Sequence, residues 1–204
     1  MTSPDLSVFL VDDDASVCKA WGHVLLARGY AVMTFDSGEA FLASPRSSQP
    51  GCVLLDFAMK PGMNGLQVFD ELRRRGSPLV VVFLSGEGTI PDSVRAMKGG
   101  AADWIQKPCS EEQLLDAVAR ALDSAQAIAR RRAVKAGRMA LWQSLTPREA
   151  EVAGHVRLGK KNKAIGDEMG IDGRTVEAHR ASGYAKLQVN SSNELDRFMR
   201  DMDL

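Results

Sequence analysis

Cys52-Val53-Leu54-Leu55-Asp56 is a short apolar run that ends in a carboxylate. Pro50-Gly51 precedes it and a Pro/Gly-rich loop follows, so it reads as a strand buried on both faces. Open α/β sheets bind ligands at the carboxyl ends of their strands. Asp56 stands at such an end. Taken alone it is equally a residue that starts a turn. The other strand ends decide between the two readings.

Working outward, Ser7 to Val11 is an apolar run and reads as the first strand, ending in Asp12-Asp13-Asp14. A helix follows, with Val17, Ala20, Trp21, Val24 and Leu25 at helical spacing, Asp14 as its cap and Gly29 as its stop. Ala31 to Phe35 reads as a second strand and Ser37 to Ala43 as a short helix. Ser44 to Gly51 is a Pro/Ser loop. Beyond Asp56, Leu66 to Arg75 reads as a helix and Leu79 to Leu84 as a strand ending in Ser85-Gly86. Thr89 to Lys98 is a helix with Pro91 in its first turn. Asp103 to Gln106 is a fifth strand, ending at Lys107-Pro108. Ser110-Glu111-Glu112-Gln113 is a capping box that opens a fifth helix. Strands and helices that alternate in this way imply a parallel sheet covered on both faces.

The fifth helix has no clear stop, since Leu115, Val118, Leu122, Ala125 and Ala129 continue its stripe. Residues 124–143 therefore read as a largely helical linker, and Arg130-Arg131-Arg132 with Lys135 as its solvated face. A second domain, residues 144–204, opens with Thr146-Pro147-Arg148-Glu149, a Thr cap, Pro at the first helical position and Glu three residues on. That helix runs to about Leu158. Asn162 to Met169 and about Arg174 to Leu187 are two helices joined by a tight turn through Gly170 and Gly173, a helix-turn-helix. A fourth helix runs from about Ser192 to Met202.

The composition is that of a soluble globular protein, with 45% hydrophobic and 25% charged residues in 204. No run approaches the ~18 apolar residues of a membrane span. Met1-Thr2-Ser3-Pro4-Asp5 lacks the character of a signal peptide. A cytoplasmic protein without membrane partners is expected. Cys18, Cys52 and Cys109 are too scattered for a disulfide framework or a zinc site. The zero net charge hides an asymmetry: residues 1–123 carry 11 Lys+Arg against 16 Asp+Glu, and residues 124–204 carry 15 against 10. The basic half points towards nucleic acid.

Four strand ends carry Asp12/Asp13, Asp56, Ser85 and Lys107. Carboxylates gathered in one crevice repel each other and need a cation, and an oxygen-only set suits Mg²⁺. A carboxylate can attack phosphorus to form an aspartyl phosphate. Lys107 and Ser85-Gly86 would supply the cation, hydroxyl and backbone N–H that phosphoryl oxygens require.

On these residues, residues 5–123 resemble a receiver domain of two-component signalling. The wording Thr89-Ile90-Pro91, Val94-Arg95-Ala96-Met97-Lys98 and Ala102-Asp103-Trp104-Ile105-Gln106-Lys107-Pro108 resembles the FixJ subfamily. The resemblance implies that Asp56 is the phospho-acceptor. It implies that Asp13, Asp56 and the backbone carbonyl of Ala58 hold Mg²⁺, with Asp12 acting through water. Ser85 would be the switch hydroxyl, Trp104 the switch aromatic, and Lys107-Pro108 a cis bond. Residues 144–204 resemble the LuxR/NarL-type helix-turn-helix, in Leu145-Thr146-Pro147-Arg148-Glu149, Asn162-Lys163-Ala164-Ile165, Met169-Gly170-Ile171 and Arg174-Thr175-Val176-Glu177-Ala178-His179-Arg180. The implied protein is a transcription regulator, not an enzyme, phosphorylated by a sensor histidine kinase. It would form a homodimer through Val94, Met97 and Trp104 on double-stranded DNA, with RNA polymerase open as a further partner. Lys163, Arg174, Thr175, His179, Arg180 and Lys186 are candidate DNA contacts, mostly to phosphates. Glu177, Ala178 and Ala181 would face base edges.

The chain departs from the family pattern in two places. The usual loop Asp-x-x-Met-Pro-Gly-Met-x-Gly here reads Asp56-Phe57-Ala58-Met59-Lys60-Pro61-Gly62-Met63-Asn64-Gly65, so Lys60 is a one-residue insertion. Either it is a harmless extension, or it alters the metal site and leaves a regulator that binds DNA independently of phosphorylation. Gly154, Gly166 and Gly183 lie within helices, where each costs ~1 kcal/mol against alanine, and the DNA-binding domain is expected to be marginal. Other functions of such a sheet fit less well. A haloacid-dehalogenase-type phosphatase needs a second Asp at position 58, which is Ala. A flavodoxin needs a Ser/Thr-Gly-rich loop after the first strand, where this chain has three aspartates.

Overall fold

The computed structural model describes residues 6–202, so the N-terminal pentapeptide tested above for signal character lies outside it. Five strands, β1 (Ser7–Val11), β2 (Ala31–Phe35), β3 (Gly51–Asp56), β4 (Leu79–Ser85) and β5 (Asp103–Gln106), form one parallel sheet of order β2-β1-β3-β4-β5. The connecting helices are α1 (Ala15–Ala27), α2 (Gly38–Ala43), α3 (Gly65–Arg74) and α4 (Ile90–Lys98), and α5 (Glu111–Gln143) follows β5. Side chains alternate across a strand. Accordingly Phe9, Val11, Val53, Leu55, Val81 and Phe83 enter one core with Phe41, Leu66 and Phe69 from α2 and α3. Val8, Leu10, Cys52, Leu54, Val82 and Leu84 enter the opposite core with Leu25 of α1 and Leu114 and Val118 of α5. All six residues of β3 are buried, as the apolar run ending at Asp56 implied.

Local signals explain where the helices begin. Asp14 accepts the backbone N–H of Ser16 at 2.8 Å, and Thr89 and Asp92 form a reciprocal capping box ahead of α4. One expectation is corrected. The Ser44–Gly51 segment is not all loop: Pro45–Ser48 forms a 3-10 turn and Gly51 already belongs to β3. Pro45 takes the first helical position and Ser44 caps it from its side chain, the two devices that start a helical turn.

The boundary between the two compact units falls inside α5, between Arg130 and Arg131. In the C-terminal unit, α6 (Pro147–Arg157), α7 (Asn162–Met169), α8 (Gly173–Leu187) and α9 (Ser192–Arg200) follow. They close on Val152, Ile165, Val176, Leu187, Leu195 and Phe198, and Leu141 and Trp142 from the last turns of α5 pack against the same core. Thr146 and Glu149 cap α6 reciprocally, and Gly170 ends α7 at φ 68°. The helical glycines are not equivalent. A Cβ on Gly166 would lie 2.6 Å from the carbonyl oxygen of Ile171, because the turn after α7 closes directly over it. The expectation that Gly166 costs stability against alanine is therefore overturned: only glycine lets the turn approach this closely. Gly183 is buried, yet a Cβ would sit at 3.7 Å from Glu149 Cβ and 3.9 Å from Leu145 Cδ2, an ordinary contact distance.

Thermal melting of the full chain should separate the two positions. Gly183→Ala should stabilise the C-terminal unit by up to ~1 kcal/mol through helix propensity. Gly166→Ala should destabilise it by ~1–3 kcal/mol through overpacking. A loss at Gly183 as large as that at Gly166 would show that the space beneath α8 does not accept a methyl group.

Candidate acidic pocket and nucleic-acid interface

Strand register assembles the first site. Val11 pairs with Leu55, so Asp12 emerges beside Asp56. Asp56 pairs with Leu84, which sets Ser85 one residue further along. Ser85 pairs with Gln106, and the backbone N–H of Lys107 then donates to Ser85 O at 2.7 Å. Parallel register thus gathers four side chains that lie far apart in the sequence.

The ammonium of Lys107 donates to Asp12 Oδ2 and to Asp56 Oδ1, both at 2.6 Å. Asp12 and Asp56 are 2% and 6% exposed. Their second oxygens are also engaged: Asp14 N–H donates to Asp12 Oδ1 at 2.9 Å and Ala58 N–H to Asp56 Oδ2 at 2.8 Å. Burial pushes the Asp12 carboxyl up, against the pull of Lys107. Burial works to lower the Lys107 pKa, but its bonds to Asp12 and Asp56 outweigh it and the net shift is upward. The ammonium therefore stays charged between the two carboxylates. Asp13 is exposed, and ligand atoms of Asp12, Asp13 and Asp56 lie within 4.8 Å of one another. Three carboxylates at that spacing carry more negative charge than one lysine balances. This all-oxygen donor set fits a hard cation such as Mg²⁺.

The extra residue of the β3–α3 loop leaves this cluster assembled. Lys60 is exposed, and its backbone N–H donates to Asp13 Oδ2 at 3.1 Å. Both Lys60-Pro61 and Lys107-Pro108 are cis. Ser85 is buried, its Oγ accepting the Gly88 N–H at 2.7 Å. The Trp104 ring is half-buried against Phe83 and Phe57, with centroids 5.1 and 5.2 Å away. Gly88 separates hydroxyl from indole, since a Cβ there would lie 2.2 Å from Trp104 Cζ2 and 2.6 Å from Ser85 Oγ. On α4, Val94 and Met97 are 44% and 45% exposed. Ile90, which is not among the expected dimer contacts, is 81% exposed.

The second candidate site is the outer face of α8. Asp172 caps this helix, accepting the N–H groups of Arg174 and Thr175 at 2.9 Å and the Thr175 hydroxyl at 2.6 Å. Val176, Gly183 and Leu187 turn inward. Arg174, Glu177, Ala178 and Ala181 are exposed, and their spacing of three and four residues makes one stripe. Lys163 is exposed on α7. The other candidates have protein partners or lower exposure. His179 is half-buried. Arg180 donates to Asn162 Oδ1 at 3.2 Å and stacks 5.2 Å from the Tyr184 centroid. Lys186 donates to Glu149 Oε2 at 2.7 Å.

Glu149 is a bracing residue that the sequence pattern showed only as a cap. It is 5% exposed, and besides its bond to Thr146 N–H it accepts Ser182 Oγ at 2.6 Å and the Lys186 ammonium. One carboxylate thus joins the start of α6 to two successive turns of α8. Lys186 first, then Ser182 and Thr146, hold its carboxyl down at about 2. The available signal was Ser182 and Lys186 at i, i+4, one face of a helix aimed at a single acceptor.

Residues 8–119 match the response regulator receiver domain family, and residues 143–199 match the luxR family of bacterial regulatory proteins. The tetrathionate response regulatory protein TtrR of Salmonella typhimurium is 43% identical over 197 residues, covering 96% of this chain and 93% of its own. The transcriptional regulatory protein FixJ of Bradyrhizobium diazoefficiens is 34% identical over 190 residues, covering 93% and 92%. Among solved structures, the response regulator StyR superposes with a TM-score of 0.84 at 36% identity, covering 97% of this chain and 99% of its own. Full-length FixJ from B. japonicum gives 0.58 at 33% identity, covering 97% of each chain. The chain belongs to the response regulators that join a receiver domain to a LuxR-type DNA-binding domain.

The Glu149 network should make the C-terminal unit lose stability in acid. A carboxyl with a depressed pKa contributes stability that is full above its ordinary value of 4.5 and is lost as pH falls through about 2. Denaturant unfolding should therefore weaken over that interval in the wild type, and Glu149→Gln should flatten the profile. An unchanged profile in the variant would remove Glu149 from the account.

Proposed function

We propose that this response regulator is phosphorylated on Asp56 by a sensor histidine kinase in the cytoplasm, and then dimerises on duplex DNA to control transcription. The observation that carries this reading is the Lys107 ammonium bridging Asp12 and Asp56 at the sheet's carboxyl edge, in a chain that also has a LuxR-type domain. A carboxylate oxygen of Asp56 attacks the phosphorus of the kinase phosphohistidine. The O–P bond forms, the P–N bond breaks, and the leaving imidazole takes a proton from solvent. Lys107 exchanges part of its contact with Asp56 for a phosphoryl oxygen, keeping the new charge paired. Mg²⁺ would be held by Asp13, Asp56 and the Ala58 carbonyl, with Asp12 acting through water, and would neutralise phosphoryl charge when bound.

The same contacts carry the signal outward. Ser85 Oγ, which accepts the Gly88 N–H, donates its own proton to a phosphoryl oxygen and draws the β4–α4 loop with it. Trp104, packed on the other side of Gly88, follows the loop. The switch is a population shift set by contacts that only the phosphorylated state makes. The altered α4–β5 face, with Val94, Met97 and Trp104, pairs two copies. Two α8 helices then enter successive major grooves about one DNA turn apart. Arg174 and Lys163 meet phosphates, and Glu177, Ala178 and Ala181 approach base edges. In this reading residues 1–123 are the receiver, 124–143 the linker and 144–204 the DNA-binding domain, with RNA polymerase as the promoter-bound partner.

Two measurements test it. Light scattering with beryllofluoride and Mg²⁺ should show the wild type as a dimer and Asp56→Asn as a monomer. A wild type that stays monomeric would contradict the dimer switch. On random-sequence duplex DNA, Arg174→Ala and Lys163→Ala should each lower the slope of log affinity against log salt by about 1. Unchanged slopes would move the interface away from α7 and α8.

A further inference from the structure

The β3–α3 loop is fixed by a carboxylate that belongs to neither the acidic cluster nor the loop. Glu39, in the first turn of α2, accepts the backbone N–H of Met63 at 2.7 Å through Oε1. The same carboxylate lies against Gly62, whose φ is +116°, and a Cβ there would come within 2.6 Å of Oε1 and 3.0 Å of Oε2. Three residues before Met63, the N–H of Lys60 donates to Asp13 Oδ2, and Met59 between the loop's two ends is buried in the core. The loop is therefore tied at Asp56 through Ala58, at Asp13 through Lys60, and at Glu39 through Met63.

These ties bear on the metal site. With Oδ2 of Asp13 taken by a fixed N–H, the carboxylate is oriented and its other oxygen is left for a cation. Groups that orient a ligand in this way tune metal affinity as strongly as some ligands do. The orientation holds only while the Lys60–Met63 segment stays in place, and Glu39 is what holds its far end. We infer that Glu39 is a positioning residue for the Mg²⁺ and phosphoryl pocket, acting through the Lys60–Met63 loop on Asp13. The inserted Lys60 is then part of the pocket's framework, and Gly62 is the residue that lets the loop lie on the Glu39 carboxylate. This inference rests on the Mg²⁺-binding reading given above.

The test uses the full chain and MgCl₂ alone. Glu39→Ala removes the acceptor, and Glu39→Gln keeps an amide oxygen for Met63 N–H. By calorimetry, Glu39→Ala should bind Mg²⁺ roughly tenfold more weakly than wild type, with Glu39→Gln close to wild type. Circular dichroism should show both variants folded. Amide exchange at Lys60 and Met63, followed by NMR without metal, should accelerate in Glu39→Ala and not in Glu39→Gln. Unchanged exchange in Glu39→Ala, or Mg²⁺ affinity equal to or tighter than wild type, would overturn the positioning role. A wild type that binds no Mg²⁺ would instead contradict the metal reading, and the exchange result would still decide whether Glu39 holds the loop.

Discussion

Two buried carboxylates from neighbouring parallel strands share one ammonium, and the N-terminal unit is organised around that contact. Asp12 and Asp56 are each almost fully removed from water, and each accepts Lys107 at 2.6 Å. Like charges this close disfavour one another, and the Lys107 ammonium between them offsets that repulsion. The sheet order puts β1 beside β3 and β3 beside β4, with β5 next in line, so that cation arrives from the far side of the site. One lysine also leaves charge unbalanced once Asp13 is included. The cluster is thus an all-oxygen donor set that suits a further hard cation. The chemistry follows from sheet register rather than from any local motif.

Much of this was legible in the chain. Apolar runs ending in Asp12, Asp56 and Ser85 specify three of the strands and what stands at their ends, because a parallel sheet buried on both faces demands continuous apolar runs, whereas β5, Asp-Trp-Ile-Gln before Lys107, is short and only partly buried. Capping residues at Asp14, Thr89, Ser110 and Thr146 mark helix starts by hydrogen bonds between near neighbours, and these too can be read from sequence. What escaped depends on distant contacts. The 3-10 turn at Pro45–Ser48 is too short to leave a periodic pattern. Gly166 looked like a weak point in a helix because nothing local shows that Ile171 O returns to within 2.6 Å of its missing Cβ. The bond from Met63 to Glu39 joins residues 24 apart, and that from Lys186 to Glu149 joins residues 37 apart. The Glu149 and Gly166 contacts bear directly on how α8 is held.

The C-terminal unit repeats the logic of the first on a smaller scale. A nearly buried carboxylate, Glu149, accepts a helix-cap N–H, a hydroxyl and an ammonium, and so converts a local cap into a brace between α6 and α8. The brace occupies Lys186 and Ser182 and leaves Arg174, Glu177, Ala178 and Ala181 outward. The DNA-reading role proposed for this stripe needs such rigidity, because groups read by hydrogen bonding must be held in place before the partner arrives. Gly183, on the buried face of α8, leaves room for a methyl group at ordinary contact distance, while Gly166 is required by the turn that sets the entry of α8.

Intact-protein mass spectrometry after incubation with acetyl phosphate tests the central claim most directly, with and without Mg²⁺, followed by peptide mapping. The account predicts that the wild type gains the mass of one phosphoryl group in the presence of Mg²⁺, that the modified peptide contains Asp56, and that Asp56→Asn gains none. A wild type that stays unmodified with Mg²⁺ present, or a phosphoryl group found on a peptide without Asp56, would contradict it.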